Sequence, residues 1–174
     1  MKKQELLLFL LIFFVGCRNK NNIIKKVDIK ETDLNPTIIE FSLIKTKNGK
    51  IVWEMKANRA VIDDKEKVIK VNKGVLKIYD TNDAKTNIAQ IKFEFAKYDT
   101  NTENIVFLGK NIIDTIENEK IIAYDINYIY KDNKIYSEKE IEINRNGNII
   151  KGIGFETLDN FQTIRIYKNV ITTQ

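Results

Sequence analysis

Apolar and polar residues alternate along most of the chain after residue 36, and this period of two predicts β-strands. Trp53 and Met55 fall on one face of such a run, opposite Glu54 and Lys56. The same alternation recurs in segments 91–95, 122–130, 141–144 and 164–166. The apolar positions are mostly Ile, Tyr and Phe, which suit a pleated, half-buried surface. No helical period stands out from residue 37 onward, so the pattern predicts an all-β fold.

Short polar segments separate these runs and predict tight turns. Asn48-Gly49 and Asn146-Gly147 are the strongest short hairpin signal in the chain. Segments 63–67, 99–104 and 131–134 are also rich in Asp, Asn and Lys. Turns spaced by about 8–12 residues favour a β-sandwich or barrel.

A longer repeat becomes visible when the predicted turns are aligned. The strands before the turns end at Ile62, Tyr98, Tyr130 and Leu158. Each unit closes on Lys-x-Val or Lys-x-Ile, and the four closing motifs begin at Lys73, Lys110, Lys139 and Lys168. Repeats of this size indicate stacked units that share one core. We therefore expect a sandwich of repeated antiparallel strand pairs.

The N-terminus has the pattern of an export signal. Lys2 and Lys3 precede an unbroken apolar run from Leu6 to Val15. Ten apolar residues are too few for a helix to span a bilayer, which takes about 20, but they suit the core of a secretory signal. Gly16-Cys17 then ends the run, and the chain becomes polar at once.

A small residue followed by Cys at this point resembles a bacterial lipobox, in which Cys17 would be acylated and become the mature N-terminus. This divides the chain into a signal peptide (1–16), a lipidated Cys17 with a polar tether (17–36) and a β-domain (37–174). An uncleaved signal anchor, with Cys17 as a bystander, is the alternative. The residue after Cys17 does not identify the membrane.

Composition excludes several classes of protein. The chain has no His and one Cys, so it has no Ser-His-Asp triad, no internal disulfide and no His-ligated metal. Its net charge of +5 comes mostly from Lys, with only four scattered Arg, which argues against sequence-specific nucleic-acid binding. No spacing of acids indicates a catalytic pair, and the acidic turns lack the spacing of a calcium loop. We expect neither catalysis nor a metal or cofactor.

Three segments together resemble the LptC family of lipopolysaccharide-export proteins, within the OstA-like β-jellyroll group. Segment 53–60 resembles the family's opening strand, with a Trp followed by an apolar residue and two Ala. The repeated strand pair that closes on Lys-x-Val/Ile is the second element. Gly152-Ile153-Gly154-Phe155 is similar to a segment near the family's end. The family's usual transmembrane helix is replaced here by a shorter apolar run that ends at Cys17.

The resemblance implies a non-enzymatic transport scaffold in the periplasm, anchored to the inner membrane of a Gram-negative-type bacterium. Such a protein accepts lipopolysaccharide from the LptBFG ABC transporter and passes it to the bridge protein LptA. The acyl chains travel in an apolar groove between two sheets, and the jellyrolls join by adding edge strands to each other.

Residue patterns suggest which side chains face that groove. The inward candidates are Trp53, Met55, Phe93, Phe95, Tyr124, Ile126, Tyr128, Ile153 and Phe155. Each would equally suit an ordinary β core. Gly152 and Gly154 are candidates for a partner edge or for a bulge.

Two other functions keep the same fold. One is an LptA-like periplasmic bridge protein, which should lack a Cys at the cleavage site. The other is a surface lipoprotein with a binding or adhesive role.

Overall fold

The computed structural model describes residues 35–80, 83, 86–158, 161 and 163–173, and they form one antiparallel sheet of nine strands in sequence order. The strands are β1 (Thr37–Lys47), β2 (Lys50–Asp63), β3 (Val68–Tyr79), β4 (Asn87–Asp99), β5 (Ile105–Thr115), β6 (Lys120–Ile129), β7 (Lys134–Arg145), β8 (Asn148–Leu158) and β9 (Thr163–Thr173). The all-β prediction is confirmed. Within these residues, no helix is long and apolar enough to cross a membrane.

Turn chemistry closes the hairpins that the sequence predicts. Asn48 and Gly49 both have positive φ, and they join Lys47 of β1 to its cross-strand partner Lys50 on β2. Asn146 and Gly147 do the same between β7 and β8. Positive φ at both central residues is typical of the type I′ turn, whose twist matches that of the flanking strands.

The repeated unit corresponds to a pair of strands. Even-numbered strands end at Asp63, Asp99, Ile129 and Leu158, within one residue of the predicted ends. The four Lys-x-Val/Ile motifs lie on β3, β5, β7 and β9. The sequence repeat therefore reflects successive hairpins that share one sheet.

The strands bend near their middle, and the bend changes which residues face inward. On β4, Phe93 and Ala96 are buried, whereas Glu94 and Phe95 between them are exposed. The pairing of β4 with β5 shifts register between Lys92 and Phe95. Similar shifts occur in the middle of β5, β6, β7 and β8. An extra residue in one strand bends it and moves later side chains to the other face.

These bends fold the sheet over on itself. Trp53 pairs with Ile78 on β3, whereas Tyr98 pairs with Ile69 on the same strand. Nine residues of strand span about 30 Å, yet the Trp53 and Tyr98 ring centroids are 5.7 Å apart. We call the two facing parts half A, which includes residues 41–57, and half B, which includes residues 94–110.

The core fills the space between half A and half B. Its largest fully buried side chains come from seven of the nine strands: Trp53, Met55, Leu76, Ile91, Ile105, Phe107, Ile113, Ile121, Ile126, Tyr128, Ile135 and Phe155. Phe93 of β4 packs on Phe107 of half B, with ring centroids 5.2 Å apart. The result is a sandwich whose two layers belong to one continuous sheet.

Candidate functional site

Six of the nine predicted inward residues lie in the apolar interior. Trp53, Met55, Phe93, Ile126, Tyr128 and Phe155 are all buried and belong to the one core cluster. They come from β2, β4, β6 and β8, so the interior is lined along most of the sheet. An apolar surface of this kind binds hydrocarbon without regard to its direction, because hydrophobic burial is not directional.

The other three predicted inward residues face solvent, and this is a correction. Phe95 is 53% exposed, Tyr124 is 38% exposed and Ile153 is 44% exposed. Each lies at the bend of its strand, where the register shift turns its side chain to the outer face. Counting alternate residues assumes an unbroken strand, so it assigns the residues beyond a bulge to the wrong face of the sheet.

Gly152 and Gly154 lie on an inner strand, since β9 pairs with β8 along this segment. The partner-edge prediction is therefore wrong for the described sheet. A register shift lies between Lys151 and Gly152, and Gly154 has a φ of +72°. At Gly152 a Cβ would lie 2.7 Å from the Lys168 carbonyl oxygen, so the missing side chain allows β9 to approach closely.

One side of the interior ends in a polar rim whose residues lie outside the set predicted from the sequence. Lys45, Lys47, Glu103, Tyr130 and Lys131 surround a cavity of about 560 Å³ there. We call this rim the β1 mouth. In the described part of the chain, one acid and three lysines therefore line this rim.

An ion pair joins the two halves across this mouth. Lys45 lies opposite Trp53 in half A, and its ammonium donates to the Glu103 carboxylate of half B. The hydrogen bond to Glu103 raises the pKa of Lys45 above its ordinary value, although partial burial opposes the shift. The ammonium also lies 4.9 Å from the centre of the Tyr130 ring, a cation–π distance.

The alternation of residues on β1 contains a sequence signal for the inward position of Lys45. Phe41, Leu43 and Lys45 alternate on β1, and the first two are buried or partly buried. Inward-facing charge on an edge strand is unusual enough to be noticed. Glu103 gives no such signal, because it lies in a turn 58 residues later.

Two buried polar atoms in the interior have no hydrogen-bond partner among the described residues. They are the Trp53 indole nitrogen and the Asn111 amide oxygen. The other end of the Asn111 amide donates to the Gly109 carbonyl oxygen, at 2.8 Å, beside the bend of β5. Unpaired buried groups cost about 1–3 kcal/mol each, so they mark places where a ligand or water can bind.

The buried acids have structural partners. Asp63 accepts from Lys70 at 2.9 Å, Glu119 pairs with Arg145, and Glu156 pairs with both Lys134 and Arg165. Among the described residues, no three His, Cys, Asp or Glu side chains lie together in a way that could hold a metal ion. The predicted signal peptide, Cys17 and most of the tether lie outside the described residues.

Comparison with known proteins agrees with this architecture. A family model described as "Lipopolysaccharide-assembly, LptC-related" matches residues 6–174. The chain is also similar to the crystal structure of LptH, described as the LptA homologous periplasmic component of the lipopolysaccharide transport device from Pseudomonas aeruginosa. Sequence identity is 16%, the match covers 67% of this chain and 82% of that chain, and the TM-score is 0.50.

No curated protein matches the sequence. At 16% identity, the likeness to LptH establishes the jellyroll fold alone. The family model is more informative, because its match includes all nine strands and extends into the N-terminal segment. The chain therefore belongs to the LptC-related family of lipopolysaccharide-assembly proteins and is a component of lipopolysaccharide transport.

Proposed function

We propose that the interior between half A and half B carries the acyl chains of lipopolysaccharide, and that the protein performs no catalysis. One observation carries the proposal. In the described sheet each strand pairs only with its neighbours in sequence, and β1 and β9 lie at opposite ends. The two halves are therefore held together by their bends and side-chain packing, not by a backbone ladder that closes the sides.

Such an interior can exchange its contacts for those of a ligand. When the halves separate, apolar side chains lose contact with each other and gain contact with hydrocarbon, so no apolar surface needs to enter water. Each Å² of apolar surface kept from water is worth about 25 cal/mol. Opening for an acyl chain therefore costs far less than opening to solvent.

The proposed partners follow from the family and from the sheet's edges. The protein accepts lipopolysaccharide from an LptBFG-like ABC transporter, which supplies the energy, and passes it to an LptA-like jellyroll. An edge strand presents unpaired N–H and C=O groups, and a partner strand can add there. In the described sheet these edges are β1 and β9.

We further propose that the protein acts in the periplasm, anchored to the inner membrane through Cys17 or through an uncleaved signal. The apolar run before Cys17 and the polar segment after it support the anchor. Intact-mass measurement of the mature protein tests it. Acyl groups on a new N-terminal Cys17 are expected, and an unmodified cleaved chain would contradict the anchor.

Photo-crosslinking tests the conduit. A photoreactive residue at Phe93 or Met55 should capture lipopolysaccharide in an ATP-dependent way when the full-length protein is assembled with its transporter. The matched control is Phe95, two residues along the same strand and on the outer face. Capture at Phe95 but not at Phe93 would contradict an interior path.

Copurification separates this role from its alternatives. A protein that receives lipid at the inner membrane should copurify with the permease–ATPase complex. An LptA-like bridge protein should instead copurify with other jellyrolls and lack the acylated Cys17. A surface lipoprotein with an adhesive role should copurify with neither.

A further inference from the structure

The β1 mouth combines an apolar interior with a concentration of positive charge. Lys45 faces inward at the end of a row that begins with Phe41 and Leu43. Its side chain is only 23% exposed, so the charge lies at the boundary between the interior and solvent. Lys47 and Lys131 line the same cavity, and neither has an ion-pair partner among the described residues.

Among the described residues, Glu103 is the only acid that lines this cavity, and it reaches Lys45 from the opposite half. The turn between β4 and β5 presents it. Asp99 accepts hydrogen bonds from the backbone N–H groups of Asn101 and Thr102, each at 2.8 Å. The Glu103 N–H donates to the Asp99 carbonyl oxygen, also at 2.8 Å. These hydrogen bonds fix the turn, and so they fix the backbone position from which Glu103 reaches Lys45.

The charge around the cavity is unbalanced. Three lysines and one glutamate give a net charge of about +2, which matches a phosphate dianion better than a carboxylate. The Trp53 indole N–H, opposite Lys45 on the next strand, is buried and has no acceptor among the described residues. The groups at and beside the β1 mouth therefore carry more positive charge and more hydrogen-bond donors than the Glu103 carboxylate can pair with.

We propose that the β1 mouth is a binding site for the phosphate of a phosphorylated acyl glycolipid. Lys45 is the central residue that binds the phosphate, and Glu103 pairs with Lys45 when no phosphate is bound. The inference rests on the proposed function, since it assigns the phosphate to transported lipopolysaccharide whose acyl chains occupy the interior. When the phosphate binds, it takes over the Lys45 ammonium and releases Glu103. The Lys45–Glu103 ion pair, one of the contacts between half A and half B, is then broken by the ligand itself.

Direct binding measurements on the full-length protein test the site. The ligands are lipopolysaccharide, the same lipopolysaccharide stripped of its phosphates, and inorganic phosphate. Lys45→Gln should weaken binding of the phosphorylated form about tenfold, the value of one charge-assisted hydrogen bond. The same change should leave binding of the dephosphorylated form unaltered.

Glu103→Gln should act in the opposite direction and strengthen binding of the phosphorylated form several-fold, because no carboxylate competes for Lys45. Lys45→Arg should retain binding, since it retains the charge. Lys92→Gln is the matched control, because Lys92 forms a comparable cross-strand pair with Asp114, at 2.8 Å, on the outer face. Lys131→Gln removes another positive charge at an exposed rim position, so it provides a second measurement of phosphate binding if Lys45→Gln does not fold.

The outcomes separate this proposal from the conduit itself. Equal effects of Lys45→Gln on both lipid forms would overturn the phosphate site and leave the conduit standing. If neither lipid form binds the unaltered protein, the phosphate site and the conduit are both overturned. Competition by inorganic phosphate at the concentrations where the lipid binds would show a site for free anions, and would overturn the assignment to a lipid.

Discussion

Phe93 and Phe95 lie two residues apart on β4, yet one packs against Phe107 in the interior and the other faces solvent. The residue types are identical and their spacing is that of a continuous strand. Only the register shift between Lys92 and Phe95 separates their environments. At this scale, the burial of a side chain depends on a backbone feature that the side chain itself does not reveal.

Alanine substitution measures this difference directly. Phe93→Ala should lower the free energy of unfolding by about 3–5 kcal/mol, because it leaves a cavity in the core. Phe95→Ala should change it by no more than about 0.5 kcal/mol. Chemical denaturation of the two variants provides the measurement. Equal losses would show that β4 continues unbent through this segment.

The Asp99 carboxylate gives a prediction about pH. Hydrogen bonds from the backbone N–H groups of Thr102 and Asn101 lower its pKa below the ordinary value of 3.8. A lowered pKa in the folded state means that the stabilisation is present above pH 3.8 and is lost as the pH falls through the lowered pKa. Asp99→Asn should therefore lower Tm at pH 7.

The same variant should differ less from the unaltered protein as the pH falls below 3.8. Thermal unfolding at a series of pH values, followed by circular dichroism, measures both curves. A difference in Tm that stays constant down to pH 2 would show that the carboxylate charge does not hold this turn.

At the scale of elements, the bends and the close approaches decide the shape of the sheet. Gly109 and Gly154 have positive φ in the middle of β5 and β8, where L residues with side chains are strained. Gly152 has another role, because β9 lies against the place where its Cβ would be. The glycines of these strands therefore mark bends and strand contacts, and not free edges.

Gly152→Ala tests the contact between β8 and β9. The added Cβ would lie 2.4 Å from Ile166 Cγ2 and 2.7 Å from the Lys168 carbonyl oxygen, so β9 must move. We expect a loss of about 1–3 kcal/mol in stability. Amide hydrogen exchange in β9 should accelerate more than exchange in β3. Ile153→Ala, at the exposed neighbouring position, is the control and should leave both rates unchanged.

At the scale of the whole molecule, one folded sheet supplies both walls of the interior. Trp53 of half A meets Tyr98 of half B, and the Lys45–Glu103 pair joins the same two halves nearby. Nine consecutive hairpin-linked strands make the pairing local in sequence, whereas these contacts join distant residues. Closing the sandwich therefore depends on long-range contacts that the hairpins do not supply by themselves.

Trp53 is the only tryptophan in the chain and reports on this closure. Its emission should be blue-shifted and shielded from aqueous quenchers, because the ring is fully buried. In denaturant, the fluorescence transition should coincide with the loss of β signal in circular dichroism, since the core joins both halves. An earlier fluorescence transition would show that the halves separate while the strands persist.

The strands, the Asn-Gly turns and the repeated pair follow from the linear sequence, because alternation and turn chemistry are local properties of the chain. The sequence also indicates the family, because motifs such as segment 53–60 are contiguous in the chain. Tertiary folding, in contrast, places Phe95, Tyr124 and Ile153 on the outer face. It also brings Lys45 to Glu103, since folding a sheet over a row of bulges joins residues that no sequence period connects.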